Sequence, residues 1–234
     1  MRQILILSFL LIFAGTSCQN KKDTSKKHPE DQNKGKLFII GGGKKPKEML
    51  KNLAHISGVD STGYVVVLPM SSSVPDTSGY WMKYDFKQVD VTNVHVFNFQ
   101  SEAEMTPEKL DSVKNAPLIY ITGGNQNTFM EIAGGTPLVP AIQEAYENGS
   151  TVAGTSAGAA LMSKKMITGD EFKHPEYTGN FMTVEANNIE IKPGLGLIEE
   201  AIIDQHFIQR MRMNRLISAV LENPEVVGIG IDES

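Results

Sequence analysis

The stretch Gly154-Thr155-Ser156-Ala157-Gly158 sets one hydroxyl between two glycines, where the apolar run "STVAG" at 150–154 gives way to "AALMS". The spacing G-x-S-x-G is that of a nucleophile elbow. A strained strand-to-helix turn projects the serine, and the glycines keep neighbouring backbone from crowding it. The free amides and positive dipole end of the following helix would stabilise an oxyanion, with the Ala157 N–H as one donor. A second donor has to come from another loop. Gly124, in "TGGNQ" at 122–126, suits that role because glycine lets backbone approach closely. A tight turn with a capping serine is the competing reading, and it requires no partner groups.

A serine hydroxyl needs a base, and histidine titrates in the right range. Of the five histidines, His28 falls in a charged segment, His55 in a helical pattern, His95 inside a strand pattern and His174 in an irregular stretch. Only His206 follows directly on a strand pattern, "AIID" at 201–204. The imidazole in turn needs a carboxylate to fix its tautomer and stabilise its protonated form. Glu233 is the first choice, with Asp204 and Asp232 as rivals. Gln126, Gln205, Arg210, Arg212 and Arg215 cluster around these points and are candidates for substrate binding. At 100° per residue Arg212 and Arg215 share a helix face and Arg210 does not, so the phase alone does not put three arginines in one pocket. "GGGKK" at 41–45 lacks the spacing of a phosphate-binding loop, and "DEFKH" at 170–174 has no second ligand cluster and reads as solvated loop.

The elements that position these residues alternate. Strand-like runs lie at 36–43, 64–69, 94–99, 117–124, 150–154, 201–204 and 226–232, and most end in Gly, Pro or Asp. Helical periods lie between most of them: after Pro46, from the cap Thr106 with Pro107 in the first turn, from Leu138 to Gly149, and from Phe207 to a stop at Pro224. Continuous apolar strands alternating with helices predict a parallel sheet covered on both faces. Ligands in such sheets bind beyond the carboxyl ends of the strands, which puts 123–126, 154–156, 204–206 and 232–233 on one rim. Residues 166–193 break the rhythm and read as an excursion over one sheet edge with a small hairpin, of the kind that shapes substrate access.

The 234 residues divide into three parts. Residues 1–17 have the layout of a secretory signal: Arg2, an apolar run from Ile4 to Ala14, then small residues. Cys18, the one cysteine, stands where a bacterial lipoprotein is lipidated, with ordinary cleavage as the alternative. Residues 18–35 carry many charges and no large apolar side chain, as expected of a flexible tether. The expectation is an exported protein held to a membrane by a lipid and facing periplasm or cell surface. From residue 37 onward, 24 acidic residues stand against 15 basic ones, which disfavours nucleic acid as a partner.

"YITGGNQ", "VAGTSAGAALM", "GLGLIEEAIIDQHFIQRMRMNRL" and "GIGIDE", in that order, resemble the cyanophycinase branch of the serine peptidases, which also includes aspartyl dipeptidase. The resemblance covers residues 36–234. It implies an α/β, flavodoxin-like fold related to class I glutamine amidotransferases, with Ser156 at the elbow where those enzymes carry cysteine. It implies Ser156 as nucleophile, His206 as base, Glu233 as acid, oxyanion donors at Gly124 and Ala157, and a substrate site lined by Gln126, Gln205 and the three arginines. The implied substrate is an aspartyl or β-aspartyl peptide, with no metal or organic cofactor, and a homodimer stays open. The chain order serine, histidine, acid differs from that of α/β-hydrolases, for which Asp204 would have to be the acid. Further strands after Ser234 are expected from the resemblance, so the domain reads as cut short there. That leaves a catalytically inactive, surface-anchored binding protein on the same scaffold as the alternative function.

Overall fold

The computed structural model describes residues 34–176, 181 and 183–233. The signal, Cys18 and the tether up to residue 33 lie outside the described residues. The order of elements is β1 (Lys36–Ile40), α1 (Lys47–Ser57), β2 (Val65–Leu68), α2 (Pro75–Lys87), β3 (Val94–Val96), α3 (Pro107–Lys114), β4 (Leu118–Ile121), α4 (Gln126–Ala133) and α5 (Leu138–Glu147). There follow β5 (Thr151–Thr155), α6 (Ala157–Ala160), β6 (Lys165–Glu171), β7 (Ile189–Pro193), β8 (Ala201–Gln205), α7 (Met213–Glu222) and β9 (Val227–Ile231).

Five strands form a parallel sheet in the order β1-β5-β4-β2-β3. The residues of β2 and β4 are all buried, because helices cover both faces of the sheet. Alternate side chains sort accordingly. Val66, Leu68, Ile119, Ile121 and Val152 pack with Phe129, Ala141 and Ile142 of α4 and α5. Val65, Val67, Leu118, Tyr120 and Ala153 pack with Leu50, Leu53, Met82 and Phe86 of α1 and α2. At roughly 1.5 to 3 kcal/mol for each large apolar side chain removed from water, these two layers fix the strand ends from which the polar loops project. β6 and β7 pair antiparallel, which is the hairpin expected within 166–193. β8 and β9 pair in parallel, from Ala201 opposite Val227 to Gln205 opposite Ile231.

One helix start departs from the sequence pattern. The helix expected from Phe207 begins only at Met213. His206 and Met211 have φ of +49° and +48°, and the Asp232 carboxylate accepts the Ile208 and Gln209 amides at 3.0 Å, so residues 207–212 turn instead of winding. Thr106 occupies the N-cap of α3 without bonding its amides through its side chain, whereas Asn125 does cap α4 through the Asn127 amide at 2.8 Å. α6 spans four residues, so its individual amides matter more than a summed dipole. Helix α2 carries a weak period because Gly79 interrupts it and three aromatic residues face outward; a Cβ at Gly79 would lie 2.5 Å from Val96 of β3.

Candidate active site

The elbow is a backbone feature before it is a chemical one. Ser156 sits at φ 54°, ψ −114°, a conformation that costs a non-glycine residue on the order of 1 to 3 kcal/mol. Hydrogen bonds hold it there: its amide donates to Ile40 O at 2.9 Å, and its carbonyl accepts from Ala159 and Ala160 at 2.9 and 3.2 Å. Both flanking glycines are sterically required. A Cβ at Gly154 would stand 2.2 Å from Gly158 O, and one at Gly158 would stand 2.4 Å from Ile121 O.

The ends of β4, β5, β8 and β9 meet as the rim rule requires. Ser156 Oγ lies 2.8 Å from His206 Nε2, and His206 Nδ1 lies 2.5 Å from Glu233 Oε1. As a carboxylate, Glu233 can only accept, which puts the ring proton on Nδ1 and leaves Nε2 to accept the serine proton. The imidazole is 7 % exposed. Burial is the main influence on it and holds its pKa below the ordinary histidine value; the Glu233 hydrogen bond acts the other way, and Arg210 and Arg212 add to the lowering. Burial and the two arginines thus favour the neutral ring, the form that can accept a proton.

Neither rival carboxylate faces the imidazole. Asp204 is fully buried and accepts from Arg215, through Nε at 2.7 Å and through Nη2, and from the Gln205 amide, with Arg212 Nη1 3.9 Å away. Asp232 is occupied by the two turn amides, and the Gln209, Glu233 and Ile208 amides together hold its pKa low.

Gly124 stands beside the elbow at φ +141°, where a Cβ would collide with Ser71 O at 1.9 Å. Its neighbour Gly123 is closer still to the nucleophile, with a notional Cβ 3.1 Å from Ser156 Cβ. Ala157 begins α6, where helix amides lack intrahelical acceptors. Gly124 and Ser156 open into a cavity of about 300 Å³ that also touches Gln126, Gln205, Arg210, Arg212 and Arg215. All three arginines thus reach one pocket, which the expected continuous helix did not require. Gln205 Oε1 bonds Arg212 Nη1 at 2.6 Å and lies 3.5 Å from Ser156 Oγ. Gln126 spends its amide hydrogens on Ile167 O and Thr168 O of β6, at 2.8 and 2.7 Å, so it anchors the hairpin while lining the pocket. The hairpin itself supplies Thr168, Gly169 and Asp170 to the wall.

Gly42 is the residue that sequence reasoning missed. At φ +136° it lies flat against the imidazole; a Cβ there would be 2.1 Å from His206 Cε1 and 2.6 Å from both ring nitrogens. Gly41 O also accepts the His206 amide at 2.9 Å. The signal was the glycine triplet at the end of β1, which fails as a phosphate loop but marks a place where something packs onto bare backbone. "DEFKH" gathers no ligands: Asp170, Glu171 and His174 turn to Asn127, Asn188 and Glu185 respectively.

Comparison with known proteins assigns the chain to a family. The peptidase family S51 model matches residues 37–234. Cyanophycinase from a Nostoc species is 32% identical over 202 residues, covering 84% of this chain and 65% of that protein. Cyanophycinase from Geminocystis herdmanii is 31% identical over 205 residues, covering 84% of this chain and 71% of that protein. The chain thus spans about two thirds of the length of these relatives. Among solved structures, a peptidase from an acI-B1 actinobacterium superposes with a TM-score of 0.62 at 24% identity, over 86% of this chain and 81% of that one. A putative peptidase E protein from Listeria monocytogenes superposes with a TM-score of 0.52 at 17% identity, over 84% and 90%. The sheet, its two helical layers and the matched span agree: the chain belongs to peptidase family S51.

Proposed function

We propose that the protein is a serine-type peptidase that hydrolyses aspartyl or β-aspartyl peptide bonds through an acyl-enzyme. The hydrogen-bonded series from Ser156 through His206 to Glu233 carries this reading. Ser156 Oγ attacks the scissile carbonyl as His206 Nε2 takes its proton, and Glu233 stabilises the resulting imidazolium. The tetrahedral oxygen is held by the Gly124 and Ala157 amides. Collapse expels the amine, which receives the proton from His206. Water, deprotonated by the same imidazole, then releases the acid and restores the hydroxyl.

The arginines supply the preference for acidic substrates. Arg215 is neutralised by Asp204 beneath the pocket, so its role is to hold Arg212 and Gln205 in a fixed floor. Arg210 and Arg212 leave net positive charge beside the nucleophile, which suits the carboxylate of an aspartyl or isoaspartyl residue. The same reading carries the cyanophycinase relatives' likeness to this chain, with export and a lipid at Cys18 placing the enzyme outside the cytoplasm.

Ser156→Ala is expected to lower kcat on an isoaspartyl dipeptide by about ten-thousand-fold or more without shifting the melting temperature, and to abolish labelling by a fluorophosphonate probe. Unchanged turnover would overturn the assignment. For the acid, Glu233→Gln should cost about a hundred- to ten-thousand-fold in kcat with the fold intact. Asp204→Asn should instead show as lost stability, on the order of 3 to 5 kcal/mol, because it strands a buried guanidinium. The base acts when neutral and its pKa is lowered, so the acid limb of kcat/KM should have its midpoint below about 6.5, the free histidine value. A midpoint above that value would contradict the buried, neutral imidazole. Metabolic labelling with a palmitate analogue should mark the full chain expressed in a bacterial host, and Cys18→Ala should remove the label.

A further inference from the structure

Helix α2 is anchored by its inner face. Gly79, Met82 and Phe86 are buried there, and Met82 and Phe86 pack with Leu50 and Leu53 of α1 and with Tyr120 and Ala153 of the sheet. The outer face carries Tyr80, Trp81 and Tyr84 at 64%, 55% and 45% exposure, with Val74 exposed just before the helix. The indole meets the Tyr80 ring at 5.5 Å and the Tyr84 ring at 5.6 Å, both edge-on, so the three form one patch. Single exposed apolar side chains are ordinary, whereas a contiguous cluster marks a surface built to be covered.

Positive charge borders the patch. At 100° per residue Lys83, Lys87, Tyr80, Tyr84 and Trp81 follow one another over about 160° of the helix circumference, so both lysines share the aromatic face. Lys83 and Lys87 are exposed and form no ion pair among the described residues, and Lys45 stands beside Trp81. The two acids of the helix are placed otherwise: Asp76 accepts from Asn98 Nδ2 at 2.9 Å, and Asp85 lines the cleft between α2 and Tyr120. From residue 37 onward the chain has 24 acidic residues against 15 basic ones, so this basic, aromatic stripe runs against the balance of the domain.

The chemistry of the stripe identifies its partner. Tyrosine and tryptophan rings have an apolar body and one polar tip, which suits the headgroup layer of a bilayer, where one end is buried and the other stays wet. A lysine stem lies along apolar surface while its ammonium reaches outward to charge. The cores of protein–protein interfaces, by contrast, are depleted in lysine. We propose that the outer face of α2 docks on a phospholipid bilayer, with Tyr80, Trp81 and Tyr84 entering the headgroup layer and Lys83 and Lys87 pairing with lipid phosphates. The proposal rests on the lipid at Cys18 for bringing face and bilayer together. The 15 residues from 19 to 33, as a flexible chain, have a root-mean-square reach of roughly 20 Å. Tethering at that range gives an effective concentration on the order of millimolar, at which a face of weak intrinsic affinity is occupied. The acidic remainder of the domain is repelled by anionic lipid, so charge selects the α2 side.

Trp81 is the one tryptophan of the chain, so its emission reports this face directly. The full-length chain is extracted in detergent and reconstituted at high dilution into vesicles of phosphatidylethanolamine and phosphatidylglycerol. Inclusion of a lipid with a doxyl quencher near its headgroup should remove about half of the emission or more. Lys83→Gln with Lys87→Gln, and separately Tyr80→Ser with Tyr84→Ser, should each weaken the quenching about twofold, with the melting temperature and fluorophosphonate labelling of Ser156 unchanged. Emission indifferent to the quencher, or equal quenching in the native chain and both variants, overturns the proposal. An emission shift that follows protein concentration in detergent without vesicles assigns the face to a second copy, and also overturns it. Palmitate labelling is scored on the same preparations: label without quenching removes the docking face and keeps the anchor, whereas quenching without label removes the anchor and leaves the face standing.

Discussion

A serine hydroxyl is chemically ordinary until an imidazole is held still at hydrogen-bonding distance, and the architecture of this chain converges on holding His206. The ring is fixed from three sides: Ser156 on Nε2, Glu233 on Nδ1, and the bare backbone of Gly42 against its face. Each contact comes from a different strand end. The parallel sheet, the separate β8 and β9 pair and the turn at 207–212 must therefore all be in register before the site exists. His206 and Ser156 both occupy positive φ, and the surrounding hydrogen bonds offset that strain.

Beneath this lies a second constraint, the buried pair of Asp204 and Arg215. Both are nearly inaccessible to water, and each would be costly alone. Together they turn β8 and α7 into one rigid floor, and Arg215 also rests 4.7 Å from the centre of the Phe181 ring. The floor presents Arg212 and Gln205 upward. A cationic pocket in a domain with a strong acidic excess is thus a local construction, sustained by one charge pair and one glutamine.

Much of this was legible in the sequence for a physical reason. Strands such as Val65–Leu68 are apolar throughout because both faces are covered, and their polar successors fall on one rim by the geometry of parallel sheets. The G-x-S-x-G spacing reports a backbone collision that only glycine avoids, so Ser156 was identifiable from its neighbours. Choosing between Asp204, Asp232 and Glu233 was beyond it, since all three sit at strand ends and their directions depend on local turns. The run 207–212 has a helical period but turns because of a carboxylate some 20 residues later, an interaction no local pattern encodes. Gly42 shares that difficulty, because its contact with the imidazole arises where loops remote in sequence come together.

Glu233 stands two residues past the end of β9, whose residues are only partly covered and whose ladder among the described residues is with β8. Withdrawal of β9 would carry the carboxylate away while leaving the five-stranded sheet and the serine turn intact. The charge relay thus depends on the register of the β8 and β9 ladder, since sliding one strand along the other would move the carboxylate off the imidazole.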